Sequence, residues 1–258
     1  MRKIDIDIQE LSNKYKSGLS ASSLARHYDV SVWSVITRLR KSGIQIRQNQ
    51  NEIFLNLTSD DSEKFREIVD GLLLGDGSID LHKSFLRLEQ CENRYCWIEQ
   101  VSDALFRLGC DHKILPIPCR TRYIEGRKIV SKPANLLYTR SYSEIKPQQA
   151  RWYPGGKKHV PTDIILSPTV VAHWFSGDGS CNDQGSLWFY TNGFAPDETQ
   201  FLSDQLNKQL NICSSLDKTL RNDQFKIRVS KKESVKRLRD TILPHIPECI
   251  MYKLRFTR

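Results

Sequence analysis

Two aspartates in this chain stand in the same short frame. Val69–Gly77 reads VDGLLLGDG and Val171–Gly179 reads VAHWFSGDG. Each is an apolar, helix-like run that closes on Gly-Asp-Gly, so Asp76 and Asp178 hold equivalent places. One such run means little; two in one chain indicate an internal duplication. Gly71 and Gly75 lie four apart, on one face of the first helix. A helix face without Cβ atoms admits a second helix at close range. Gly75 and Gly77 are expected to stop that helix, because glycine suits a left-handed C-cap. Asp76 is then presented at the bottom of a helix pair, where Asp178 meets it. Two carboxylates brought together repel unless they share protons or cations. Shared Mg²⁺ (or Mn²⁺) would resolve that repulsion through hard oxygen ligands.

Two lysines follow the aspartates at closely similar intervals. Lys158 sits in Lys157-Lys158-His159-Val160-Pro161, and Lys253 in Met251-Tyr252-Lys253-Leu254. The second run departs from the first at His173, which stands where Gly71 stands. Ala172 and Ser176, four apart, are expected to supply its small face instead.

These runs and their flanks resemble the signature of the LAGLIDADG homing endonucleases, from roughly Asp60 to the C-terminus. The resemblance implies an α+β fold of two αββαββα repeats about a pseudo-twofold axis in one chain, cleaving double-stranded DNA with divalent metal. In that scheme Asp76 and Asp178 hold the metal, and Lys158 and Lys253 each serve one half-site. Gln90, at the end of a strand, is placed by the resemblance near the scissile phosphate, with Thr191 opposite it in the second repeat. A duplicated single chain is expected to act as a monomer on a long, non-palindromic target. Some members of the family are maturase-like and help an intron RNA fold without cutting. Acid and lysine are intact in both halves here, which argues for retained chemistry.

The elements that must position these residues can be read around them. The 258 residues and 29.9 kDa allow one large domain and a small one. A net charge of +9 and a pI near 9.2 favour a polyanionic partner. No run of 18 apolar residues is present, so no membrane span is expected. MRKIDIDIQE lacks the apolar centre of a signal peptide, which points to the cytoplasm or to the organelle whose genome encodes the chain. The seven cysteines form no Cys-x-x-Cys pair and read as free, mostly buried thiols. His27, His82, His112 and His245 read as structural or surface residues.

Residues 1–47 read as a small all-α helix-turn-helix unit, resembling that family in SxxxLARHYDVSVWSVITRLRKSG, with Ser20 as a helix cap. Its recognition helix would offer Ser31, Trp33, Ser34, Thr37 and Arg38 to a major groove. Residues 48–58 read as a linker, 59–165 as the first repeat and 166–258 as the second. In the first repeat a helix starts near Glu63, capped by residues 59–62. A hairpin over 78–90, a helix over 94–108 and strands over 113–142 with a turn at Glu125-Gly126 follow it. Trp152–Gly156 reads as a loop. The second repeat offers a helix after Pro168, a strand over 186–191, a helix over 196–210, a hairpin about Arg221–Asp223 and a helix over 231–243. Arg87, Arg120, Arg122, Arg140, Lys226 and Arg228 are interleaved along these strands and are expected to face DNA.

Overall fold

The computed structural model describes residues 6–16, 21–46, 54–55, 57–124, 127–219 and 224–254. The expected Ser20 cap, most of the expected linker and the turns at 125–126 and 221–223 lie outside them. The chain divides into two compact units, 1–52 and 53–258.

The first unit holds α1 (Ile8–Lys16), α2 (Ala21–His27) and α3 (Val32–Lys41). Leu11, Tyr15, Leu24, Ala25, Val35 and Leu39 form its core. α3 starts where expected, its first turn capped by Ser31 Oγ, which accepts from the Ser34 amide at 3.1 Å. Asp29 enters that turn at φ 50° and Gly43 leaves the helix at φ 70°.

The second unit begins with α4 (Ser59–Leu74), β1 (Gly77–Ile79), β2 (Leu86–Cys91), α5 (Tyr95–Arg107) and β3 (His112–Ile117). A two-stranded ribbon of β4 (Thr121–Ile124) and β5 (Arg127–Val130) follows, then β6 (Ala134–Thr139) and α6 (Ile145–Trp152). The chain continues through α7 (Pro168–Asp178), β7 (Gly179–Cys181), β8 (Leu187–Tyr190) and α8 (Pro196–Leu210). It closes with β9 (Ser215–Lys218), β10 (Phe225–Val229), α9 (Lys232–Ile242) and a 3₁₀ segment, Glu248–Lys253. Strand orders β1-β2-β6-β3 and β7-β8-β10-β9 are the same order written twice, each sheet antiparallel. With the ribbon set aside, each half is αββαββα. The two sheets share one apolar core with the helices, running from Phe65 through Trp97 and Trp174 to Leu254.

Period-two burial carries each sheet. Leu86, Leu88 and Gln90 of β2 are buried, while Arg87 and Glu89 between them turn outward. In β10, Ile227 and Val229 are buried and Lys226 and Arg228 are not. Such alternation gives each sheet one dry face and one wet face.

Several expectations need correction. α4 starts at Ser59, and its cap is Thr58, whose Oγ1 accepts from the Asp61 amide at 3.2 Å. Trp152 is not in a loop but ends α6, a helix that Pro147 and paired glutamines hide from periodicity. Arg151 and Trp152 explain why α6 is there. Asp70, 2% exposed inside α4, takes two hydrogen bonds from Arg151 at 2.5 and 3.0 Å and one from Trp152 Nε1 at 2.7 Å. A buried carboxylate needs that partnership, so Asp70 is a structural anchor and its neighbour in sequence Asp76 is not. Cys96 and Cys249 are not free thiols: they form a disulfide, with Cα atoms 6.2 Å apart. They are 153 residues apart, and only the return of the chain end onto α5 brings them together. Of the five remaining cysteines Cys110 alone is buried, and Cys119 is exposed. No helix among the described residues is long and apolar enough to cross a membrane.

Candidate active site at the paired helix ends

α4 and α7 meet along a seam of missing side chains. A Cβ on Gly71 would lie 2.7 Å from His173 Cβ and 2.7 Å from the Val170 carbonyl. A Cβ on Gly75 would lie 3.3 Å from Gly177 Cα, and one on Gly177 only 2.8 Å from the Asp76 nitrogen. The neighbours on α7 are thus Val170, His173, Trp174 and Gly177, spaced as one helix face, and not the expected pair Ala172 and Ser176. His173 is tolerated because Gly71 leaves room for it. Its Nδ1 accepts from Trp97 Nε1 at 3.2 Å, and burial pushes its pKa down to about 4, so it stays neutral. The caps differ from expectation as well. None of Gly75, Gly77, Gly177 and Gly179 has a positive φ. Gly77 and Gly179 are glycine because a Cβ there would strike the Leu72 and Phe175 carbonyls one turn back.

This contact roots Asp76 and Asp178 side by side, and the lysines close on it from either half. Lys158 Nζ donates to the Gly77 carbonyl at 3.0 Å and reaches that of Gly75 at 3.5 Å. Lys253 Nζ donates to the carbonyls of Ser176 and Gly177 at 2.7 and 2.6 Å. Each ammonium caps the electronegative end of its own signature helix. Gln90, 4% exposed, donates through Nε2 to Asp76 Oδ2 at 2.7 Å. All five sequence candidates at the centre therefore converge. Thr191 does not do as Gln90 does: its hydroxyl donates to the Phe225 carbonyl at 2.6 Å.

Arg94 belongs here and was missed. Its Nη1 donates to Gln90 Oε1 at 3.3 Å and lies 3.9 Å from Asp76 Oδ2, and its Nη2 donates to the Tyr252 hydroxyl at 3.1 Å. The signals available were its place four residues after Gln90 and the tyrosine beside Lys253. With Asp178, Lys253, Tyr190 and Tyr252 it lines a cavity of about 380 Å³.

The electrostatics follow from burying like charges together. Burial, then the carboxylate of Asp76, raises the Asp178 pKa to about 7, against the pull of Lys158, Lys253 and Arg94. Burial lowers Lys158 to about 8, and burial with Arg94 lowers Lys253 to about 8. The carboxyl of Asp178 lies far above the usual carboxylate range chiefly because burial strips its charged form of water, with repulsion from Asp76 added. A divalent cation is the group that would relieve it, and two carboxylates are the hard donors it prefers. Among the described residues no cluster of three or more His, Cys, Asp and Glu is formed, so any further ligands to a cation would come from outside that set.

A stability consequence can be measured. Asp178 is protonated more readily folded than unfolded, so its contribution is fully present below about pH 4 and is lost as pH rises to about 7. His173, with its folded pKa depressed, acts oppositely and loses its contribution as pH falls from about 6.5 to about 4. The parent protein therefore masks the Asp178 term, and a variant exposes it. Metal-free Asp178→Asn should melt a few degrees above the parent at pH 7.5, the gap closing as pH falls toward 4. A gap that does not change with pH in calorimetric melts would remove the buried-charge account.

The outlying candidates are placed as follows. Trp33 is 75% exposed on α3, and Arg38 turns back onto Ser34 in the same helix. Thr37 is half-buried. Arg87 faces outward on β2, paired across to Tyr138. Arg120 lies 3.8 Å from Glu89, Arg140 3.3 Å from Asp111 and Arg228 3.8 Å from Asp217. Exposed pairs of this kind are worth little and open readily. Lys226 stands 3.7 Å over the ring of Trp188. Arg122 pairs with Ile129 in the β4–β5 ribbon.

Two αββαββα repeats joined through glycine-bearing helices, with an aspartate at each helix end, define a class of two-motif, single-chain proteins. Residues 66–238 match the LAGLIDADG DNA endonuclease family, and the chain belongs to it. The protein MJ1098 of Methanocaldococcus jannaschii is 30% identical over 198 residues, covering 75% of this chain and 74% of that one. The cytochrome b mRNA maturase bI2 of Debaryomyces hansenii is 28% identical over 222 residues, covering 83% and 82%. In structure, the homing endonuclease I-WcaI bound to its DNA recognition sequence matches with a TM-score of 0.63 at 21% identity, covering 87% of this chain and 93% of that one.

Proposed function

We propose that this protein is a homing endonuclease that cuts both strands of duplex DNA at a long, non-palindromic site. The observation that carries the reading is the pairing of Asp76 with Asp178, each with its own lysine clamped on its helix end. Asp76 and Asp178 would hold Mg²⁺ or Mn²⁺, which when bound supplies charge neutralisation at the scissile phosphate and an acidified water. Gln90 fixes one oxygen of Asp76 by its amide, and Arg94 fixes Gln90 in turn. Lys158 and Lys253 keep the two helix ends closed and place a positive charge beside each strand. Arg87, Arg120, Arg122, Arg140, Lys226 and Arg228 would meet phosphates and base edges along the groove. Residues 1–47 would add contacts through Trp33, Ser34, Thr37 and Arg38. One chain supplies both halves, so the active species is a monomer, at work where its encoding genome resides. An intron-encoded origin fits the family.

A second reading has an observation of its own: a relative of matching length is described as a cytochrome b mRNA maturase. In that reading the basic surface binds intron RNA. A supercoiled plasmid library carrying random inserts separates the two. The endonuclease reading expects linear product in Mg²⁺ and none in EDTA. Lys158→Met and Lys253→Met should each slow cutting roughly tenfold to a hundredfold and accumulate nicked circles, with opposite strands nicked. A chain that binds structured RNA tightly and never linearises DNA would favour the maturase.

A further inference from the structure

The wet faces of the two sheets are chemically unlike. Register places Leu136 of β6 between Glu89 of β2 and Leu115 of β3, and Ala134 between Cys91 and Ile117. Leu115 is 45% exposed, Leu136, Ala134 and Ile117 beside it are half-buried, and Glu89 at the end of the row is exposed and lies 3.8 Å from Arg120, while the alternate residues Leu88 and Leu137 are fully buried in the core. This face thus offers solvent a patch of aliphatic side chains, edged by Arg87 and Lys113 in the next row, where both pair through Tyr138. The corresponding face of the second sheet holds Trp188, Tyr190, Lys226 and Arg228, with both cations lying over the indole. The first face carries an aliphatic strip between charged residues, and the second is built of cations over aromatic rings with Asp217 beside them.

We infer that the aliphatic face of the first sheet reads thymine C5-methyl groups in one half of the DNA target. This rests on the endonuclease reading and specifies how one half-site is chosen. In the major groove only thymine presents a methyl group, and an aliphatic side chain recognises it by excluding water. The occupant is duplex DNA because the strand that carries Gln90 to the catalytic centre also forms this face. β1 leaves directly from Asp76, and β2 carries Gln90 on its dry side and Arg87 and Glu89 on its wet side. The cationic edge of Arg87 and Lys113, on a chain of net charge +9, fits flanking phosphates. RNA carries uracil, which lacks the methyl group, so the same face sets DNA above RNA. The donors of the second sheet suit guanine O6 and N7 instead.

The test uses the full chain. Cleavage of a randomised duplex library in Mg²⁺ recovers the preferred sequence, which is then synthesised with deoxyuridine for thymidine in one half or the other. That exchange removes the methyl groups and leaves pairing and charge unchanged. Binding in Ca²⁺ should weaken roughly fourfold for each methyl lost in one half, and less than about twofold in total in the other. Leu115→Ala and Leu136→Ala, which sit on a wet face and should melt near the parent, should erase most of that deoxyuridine penalty. A penalty that survives both substitutions, or no penalty in either half of a duplex that is still bound and cut, overturns the inference and leaves the nuclease reading intact. Failure to recover any cut duplex overturns both. A stable dimer in sedimentation that Leu115→Glu dissolves would assign the face to a second copy of the chain and overturn it too.

Discussion

Asp76→Asn and Asp178→Asn should each reduce cleavage in Mg²⁺ by about a thousandfold or more while duplex binding in Ca²⁺ survives. The size follows from what each carboxylate does. Metal at a reacting phosphate supplies several kcal/mol of transition-state stabilisation, and each 1.36 kcal/mol is tenfold in rate. Among the described residues these two carboxylates have no third acidic donor beside them, so neither has an understudy. Asn keeps the shape, and at position 76 it can still accept from Gln90 Nε2, so the fold is not at issue. Binding should even tighten where a negative charge no longer faces phosphate. The two substitutions should differ in one respect. Asp178→Asn removes the carboxyl whose pKa burial and Asp76 raise to about 7, so that variant should also melt higher without metal above neutral pH. Asp76 is more exposed and held by Gln90, and its variant should melt close to the parent. Asp76→Asn that linearises plasmid at the parental rate would dismiss the paired-carboxylate site and bring the maturase reading forward.

Much of this site could be read from the chain because it is duplicated. Asp76 with Asp178 and Lys158 with Lys253 occupy matching places in the two repeats, a correspondence that needs no knowledge of contacts. Gln90 came from the family resemblance and its strand position. What was illegible breaks the symmetry or spans long separations. Arg94 has Ala195 at the matching place, so superposing the repeats gives no second copy to notice. Asp70 looks like part of the signature, yet its role is set by Arg151 and Trp152 more than 80 residues on. The Cys96–Cys249 bond depends on the chain end returning to α5, which no local spacing records. The glycine caps were misread for a physical reason. Helix-stopping glycines usually serve a left-handed residue, whereas here the constraint is the approach of another backbone.

That constraint gives the second large effect. Gly177→Ala should lower the melting temperature by roughly 2–12 °C and depress cutting more than binding. The added Cβ would lie 2.8 Å from the Asp76 nitrogen and 3.1 Å from Gly75 Cα. Both are main-chain atoms, so no rotamer change relieves the clash and the helix ends must shear apart. Overpacking of a close-packed seam costs about 1–3 kcal/mol, and a unit of this size loses roughly 2–4 °C for each of them. The same shear separates Asp178 from Asp76, and a displacement near 1 Å in a catalytic constellation costs about a hundredfold in rate. The DNA contacts proposed for the sheets are remote from the clash and should hold. Gly193→Ala is the control, because nothing lies within 4 Å of a Cβ at that position. It should melt and cut as the parent does. Gly177→Ala that matches Gly193→Ala in both calorimetry and plasmid cutting would show that the helices do not need to touch at this point.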